Sequence, residues 1–120
     1  MTSAGKDPAC IFCRIVARAV PSTVAYEDDE LYAFPDIRPK APVHLLIIPK
    51  EHILRSVAEM SAAETGLLGR MLLRAKLLAE EQGIAADGYR LVFNVRRHGG
   101  QEVDHVHLHL LGGWPLGPLG

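Results

Sequence analysis

Net charge is nearly absent from this chain. Thirteen Lys and Arg face fourteen Asp and Glu, which leaves −1 over 120 residues. No basic stripe is present to follow a phosphate backbone or an anionic lipid surface, so neither nucleic acid nor membrane is an expected partner. Long apolar runs are lacking too. The strongest, from Val43 to Pro49, is far below the length that spans a bilayer. Residues 1–9 hold no apolar signal-peptide core, so a cytoplasmic protein is expected. No internal repeat or domain boundary is visible. Cysteine is scarce: Cys10 and Cys13 are the only two, separated by two residues. In a reducing compartment that spacing points to a metal or redox pair before a structural disulfide.

What is present describes one globular domain. Hydrophobic residues make up 48% and charged residues 22%, and a chain of this length buries a core without disulfide staples. The apolar residues Ile11, Ile15 and Val16 predict a short helix between Cys10 and Ala19, closed before Pro21. Val24–Glu27 and Leu31–Phe34 read as strands around an Asp28-Asp29 turn. Pro35, Pro39 and Pro42 mark a loop. Val43–Ile48 is a nearly continuous apolar strand, which implies cover on both faces.

Ser61–Gln82 carries the clearest helix pattern. Ser61 and Glu64 match a capping box, apolar residues follow at helical spacing, and Gly83 is a natural stop. Tyr89–Val95 and Asp104–Leu111 read as the last two strands, joined by a polar loop at Arg96–Gln101. The expected class is α+β: a mostly antiparallel five-stranded sheet, one long helix and a short N-terminal helix.

The chemistry is concentrated in the last strand. His105, His107 and His109 alternate with Val106, Leu108 and Leu110. Successive side chains of a strand point to opposite faces, so the three imidazoles share one face and the aliphatic residues fill the other. One ring can then act on a phosphorus while another touches its oxygens. A metal site is the rival reading, since neutral imidazole is a common ligand. Gly99-Gly100-Gln101 precedes the strand, and such a loop turns backbone N–H groups toward an anion.

These segments resemble the histidine triad superfamily, in its branch of histidine triad nucleotide-binding proteins. The carrying stretches are Cys10-Ile-Phe-Cys13, Asp36-Ile37 through Pro42-Val-His44, Pro49-Lys-Glu-His52, Gly88-Tyr89-Arg90 with Asn94, and the run from Gly99 through the three histidines to Gly112-Gly113. The resemblance covers residues 10–113, between a loose N-terminus at 1–9 and a tail at 114–120. It implies a homodimer whose sheet continues across both halves. It also implies hydrolysis of a purine nucleoside monophosphate bond, such as the P–N bond of an AMP or GMP phosphoramidate. On that resemblance His107 is the nucleophile, and His109 and His44 assist it. Asp36 takes the ribose hydroxyls, Ile37 packs on the base, and Asn94 and the loop Gly100, Gln101 and Glu102 border the phosphate. Many relatives carry serine at the position of Glu102, and the placement of Trp114 does not carry over. No metal is needed for the reaction. In some relatives zinc is bound by residues matching Cys10, Cys13, His52 and His105, and a structural zinc is expected here. The alternatives are a dinucleoside polyphosphate hydrolase and a nucleotide-binding scaffold with little turnover.

Overall fold

A computed structural model describes residues 7–118. Helix α1 (Ile11–Val16) comes first, then strands β1 (Tyr26–Glu27), β2 (Leu31–Pro35) and β3 (Val43–Pro49). Helix α2 (Thr65–Glu81), strand β4 (Tyr89–Val92) and strand β5 (Leu108–Gly112) complete the chain. The sheet runs β1-β2-β3-β5-β4 with every neighbouring pair antiparallel. The expected α+β class and five strands are therefore present. The loose N-terminus expected at 1–9 lies mainly outside the described residues, as do the last two residues of the tail.

The apolar run of β3 is explained by a helix on each side of the sheet. Leu45 and Ile47 join Ala33, Leu108 and Leu110 beneath α2, which contributes Leu67, Met71, Ala75 and Leu78. Leu46 and Ile48 point the other way and meet Tyr32, Phe34 and the α1 residues Phe12 and Ile15. Period-2 alternation in β2 and β3 thus feeds two separate cores. No described helix is long and apolar enough to cross a membrane.

Local chemistry sets the element ends. Asp28 Oδ1 accepts from the N–H groups of Glu30 and Leu31 and closes the first hairpin. The capping box forms as expected: Ser61 N–H donates to Glu64 Oε1 at 2.7 Å, and Ala63 N–H donates to Ser61 Oγ at 3.2 Å. It caps a 3₁₀ turn at Ala62–Glu64, so α-helical geometry starts only at Thr65. Three other boundaries also differ from the expectation. Helix α1 ends at Val16, with Arg18 left-handed at φ 63°. Strand β4 stops at Val92, where Asn94 and Val95 turn into the glycine loop. Strand β5 begins only at Leu108: β3 continues to Pro49, but its pairing with β5 ends at Ile47, and the Val106 N–H donates to the Leu54 carbonyl instead. Leu72 and Leu73 on α2 stay exposed, as does Leu91 on β4.

Candidate active site

The α1 side of the sheet carries a cleft of about 670 Å³, within the usual range for a small-molecule site. Antiparallel register builds its floor. His109 pairs with Leu46 on β3 and Val92 on β4, and Leu111 pairs with His44 and Arg90. Directly opposed residues share a face, so His44, His109, Val92 and Arg90 all look into the cleft. His107 enters from the extended residues just before β5.

The hydrogen bonds fix which nitrogen of each ring carries the proton. Backbone carbonyls only accept, so His107 donates Nδ1–H to the His105 carbonyl at 2.8 Å. Its Nε2 lone pair is left for the cleft. His44 Nδ1 accepts from the Lys40 N–H at 3.1 Å. A neutral His44 therefore carries its proton on Nε2 and donates to His109 Nδ1 at 2.9 Å. His109 in turn keeps an Nε2–H. The cleft thus holds one imidazole with a free lone pair and another with a free N–H, ring centroids 5.0 Å apart. Burial pushes His44 and His107 below the usual histidine value, and it takes His109 down to about 4. They are neutral at pH 7, as the tautomer assignment requires.

The proline-bounded loop supplies Asp36. Its Oδ1 accepts from Arg38 N–H at 2.9 Å and caps a turn, while Oδ2 lies 3.5 Å from His44 Nε2 at the cleft wall. Ile37 stands beside it, 90% exposed, at the mouth. Asn94, Gly100 and Glu102 also line the cleft. Asn94 Nδ2–H donates to the Gly99 carbonyl at 2.7 Å and ties β4 to the glycine loop.

Gln101 departs from the expected placement. Its side chain turns from the cleft and donates to the carbonyls of Arg55 and Val103, while Oε1 accepts from Arg96 N–H at 2.9 Å. Arg96 needs that support, because it sits at φ 56° and ψ −171°, a region nearly restricted to glycine. Gln101 therefore holds the loop from behind.

Several cleft residues escaped the sequence reading. Ile11 and Ile15, one turn apart on α1, form part of the wall, and Arg90 and Val92 form another part. The i,i+4 spacing of the first pair and the alternation of the second with Asn94 were available signals. Leu116 and Pro118 close one end, and the Arg90 guanidinium donates to the Gly117 carbonyl. Nothing in the local pattern announces that return of the tail. Trp114 is exposed.

A second cluster lies behind the cleft. His105 donates Nε2–H to the Pro49 carbonyl at 2.8 Å, so its Nδ1 lone pair is aimed elsewhere. It lies 3.4 Å from Cys10 Sγ and 3.6 Å from Cys13 Sγ, and His52 Nδ1 lies 3.4 Å from Cys13 Sγ. One ligand atom from each of the four residues falls within 4.8 Å of the others. Sulfur and nitrogen donors around a tetrahedral zinc sit about 3.6 Å apart, given their usual bond lengths. Donor type, spacing and the outer bond to Pro49 all fit a structural metal. Burial pushes the Cys10 thiol up, which keeps it protonated until a cation replaces the proton.

Comparison with known proteins agrees with this architecture. The HIT domain family model matches residues 17–115. A purine nucleoside phosphoramidase of Escherichia coli K12 is 53% identical over 109 residues, covering 91% of each chain. A 14 kDa zinc-binding protein of Zea mays is 45% identical over 116 residues, covering 92% of this chain and 90% of that one. The crystal structure of a HIT family hydrolase from Legionella pneumophila superposes with a TM-score of 0.84 at 52% identity, covering 90% of this chain and 99% of the other.

Proposed function

The chain belongs to the HIT domain family, and on that premise we propose that it is a nucleotide-binding hydrolase cleaving purine nucleoside phosphoramidates through a nucleotidyl group carried on His107. The observation that carries this reading is the pair of fixed tautomers. His107 offers an Nε2 lone pair, and His109 offers an Nε2–H beside it.

The reaction follows from that pair. His107 Nε2 attacks the phosphorus, a new P–N bond forms to the imidazole, and the bond to the leaving amine breaks with its electron pair going to the amine. The amine leaves after taking up a proton from solvent. The His105 carbonyl steadies the positive charge that His107 acquires, through the Nδ1–H it already accepts. Water then attacks the phosphorus and gives up a proton to solvent, the P–N bond to the imidazole breaks with its electron pair returning to Nε2, and the monophosphate departs. Two displacements replace one harder one. His109 Nε2–H donates to the phosphoryl oxygens in both steps, held in place through His44 by the Lys40 amide.

Asp36 accepts from the ribose hydroxyls with Oδ2, the atom its turn leaves unused. The base lies along Ile11, Ile15 and Ile37. The glycine loop, pinned by Asn94 and Gln101, faces the phosphate. Cys10, Cys13, His52 and His105 hold zinc, which supplies a structural clip between α1 and the sheet. The protein is a homodimer: β4 is a sheet edge, and exposed Leu72, Leu73 and Leu91 give it an apolar border.

The test is to trap the intermediate. Rapid quenching after mixing with an adenosine phosphoramidate should yield a nucleotidylated peptide containing His107. His107→Ala should lose turnover by at least a thousandfold and still bind AMP within about tenfold, or roughly 1.4 kcal/mol. Turnover retained within threefold in that variant would remove His107 from the nucleophile role.

A further inference from the structure

Helix α1 joins the two sites within six residues. Cys10 caps its start, with Sγ accepting from Cys13 N–H at 3.5 Å, and both sulfurs turn toward His105. Phe12 lies between them and turns toward the histidine wall. Its ring meets His107 edge-on, with centroids 5.1 Å apart and planes at 83°. It meets His105 at 5.7 Å and Phe34 at 5.6 Å in the same manner. Ile11 and Ile15, on the same helix, line the cleft.

The helix is poorly secured by its own backbone. It is far shorter than a helix that persists alone in water, and among the described residues the backbone hydrogen bonds joining its ends to the chain stay within residues 7–19. Its place on the sheet depends on side chains: the aromatic contacts of Phe12, the burial of Ile15, and the two cysteines. His107 depends on it in turn. The His105 carbonyl fixes one nitrogen of that ring, but a single hydrogen bond leaves the ring free to swing about it. Phe12 closes the volume into which it would swing.

We propose that Phe12 is a positioning residue for His107, held by the Cys10–Cys13 metal clip, so that zinc on the four-residue cluster and a nucleotide in the cleft bind cooperatively. The proposal rests on the nucleotide reading of the cleft given above. Without the ion, the cluster is joined by weak thiol–imidazole contacts and α1 is free to shift, so a nucleotide must order the wall it binds. With the ion bound, that ordering is already complete and the nucleotide binds more tightly. Linkage requires the reverse effect in equal measure: nucleotide must tighten zinc by the same factor. Couplings of this kind run from about 5-fold to 150-fold, and about tenfold is expected here.

The full chain is tested in three measurements. AMP affinity is measured by calorimetry on zinc-loaded and chelator-stripped protein. Zinc affinity is measured by competition with a chromogenic chelator, with and without saturating AMP. Both are repeated on Phe12→Leu, which preserves bulk and removes the ring, together with single-turnover rates on an adenosine phosphoramidate. The expected result is AMP binding about tenfold weaker without zinc and zinc binding about tenfold tighter with AMP. In Phe12→Leu both ratios should fall below about twofold as AMP affinity of the loaded protein falls toward that of the stripped parent, and the rate of nucleotidyl transfer at saturating substrate should drop at least tenfold. Ratios within twofold in the unaltered chain would overturn the coupling while leaving the nucleotide reading intact. Full-sized ratios or an unchanged rate in Phe12→Leu would overturn the part assigned to Phe12, including where stripped protein unfolds. An absence of AMP binding in both forms would overturn the nucleotide reading and this proposal with it.

Discussion

Gly113→Ala should be among the most damaging single-methyl additions in the chain, and the reason is the loop that carries Asp36. Gly113 follows β5 at φ 108°, and a Cβ there would fall 2.8 Å from Cβ and 3.0 Å from Cγ of Pro42. Carbon atoms pack at about 3.5–4.0 Å, and a proline ring has no rotamer by which to withdraw. Gly83 gives the control. It has φ 75° with nothing within 4 Å of the added carbon, so Gly83→Ala meets only backbone strain, about 1–2 kcal/mol. Gly113→Ala adds overpacking of about 1–3 kcal/mol to a strain of similar or larger size, for a total of about 3–5 kcal/mol.

Unfolding entropy of about 2.1 cal/mol/K per residue makes each kcal/mol worth about 4 °C in a chain of this size. Gly113→Ala should therefore melt about 12–20 °C below the parent, and Gly83→Ala about 4–8 °C below. Calorimetric melts at matched protein concentration check this, since any oligomer makes the midpoint concentration-dependent. Function should follow geometry, because Pro42 ends the segment bearing Asp36, Ile37 and the Lys40 amide that fixes His44. AMP affinity should fall about tenfold in Gly113→Ala and stay within twofold in Gly83→Ala. A Gly113→Ala midpoint within 2 °C of that of Gly83→Ala would refute the packing argument.

Other outcomes follow from the same contacts. Asp36→Ala should weaken AMP at least tenfold more than 2′,3′-dideoxy-AMP, whereas equal losses would reduce Asp36 to its turn-capping bond with Arg38. The 13.1 kDa chain should scatter light as a dimer at micromolar concentration, and Leu73→Asp should halve that mass; a monomeric parent would end the dimer reading. Chelation should lower the melting temperature of the parent but not of Cys13→Ser, with metal analysis giving one zinc per chain. Burial holds His109 down to about 4 in the folded chain, against about 6.5 when unfolded. The unfolded state then takes up more protons between those values, so stability present above pH 6.5 is lost as pH falls toward 4. The drop in melting temperature from pH 7 to pH 5 should be smaller in His109→Gln, and an unchanged drop would show that His109 is not among the groups responsible.

The fold was legible wherever one local pattern had one physical solution. The unbroken apolar run of β3 demanded cover on both faces, and α1 and α2 supply it. The Ser61–Glu64 box announced a helical start and formed, although a 3₁₀ turn intervenes before Thr65 because the box satisfies amides in either geometry. What could not be read was whatever depends on distant partners. Strand β5 starts late because the residues before it bond to a loop, Val106 N–H donating to the Leu54 carbonyl, which no property of His105-Val106-His107 reveals. Gln101 looked like a phosphate neighbour by its place in a glycine loop. It faces away because Arg96, five residues back, adopts a strained conformation that needs a clamp. The return of Leu116 and Pro118 to the cleft depends on Arg90, in another strand.

The three histidines of the last strand show why a motif names a face and not a set of roles. Alternation places His105, His107 and His109 on one side, and all three are held neutral by burial. What separates them is the partner that each ring's other nitrogen finds. His105 gives its Nε2–H to Pro49 and is left with an Nδ1 lone pair facing two sulfurs. His107 gives its Nδ1–H to the His105 carbonyl and is left with an Nε2 lone pair facing the cleft. His109 accepts on Nδ1 from His44 and is left with a proton to donate. The division into metal ligand, nucleophile and donor is thus written in a proline carbonyl, a backbone carbonyl two residues away and a histidine on the next strand. Removing the donor should release the tautomer. In His44→Asn the amide oxygen takes the place of His44 Nδ1 and accepts from the Lys40 N–H, and the shorter side chain leaves no donor at the place of Nε2 for His109 Nδ1. His109 is then free to show its lone pair to the phosphate, and transfer should slow far more than AMP binding weakens. A His44→Asn variant that transfers within threefold of the parent would show that the relay from the Lys40 amide does not set the state of His109.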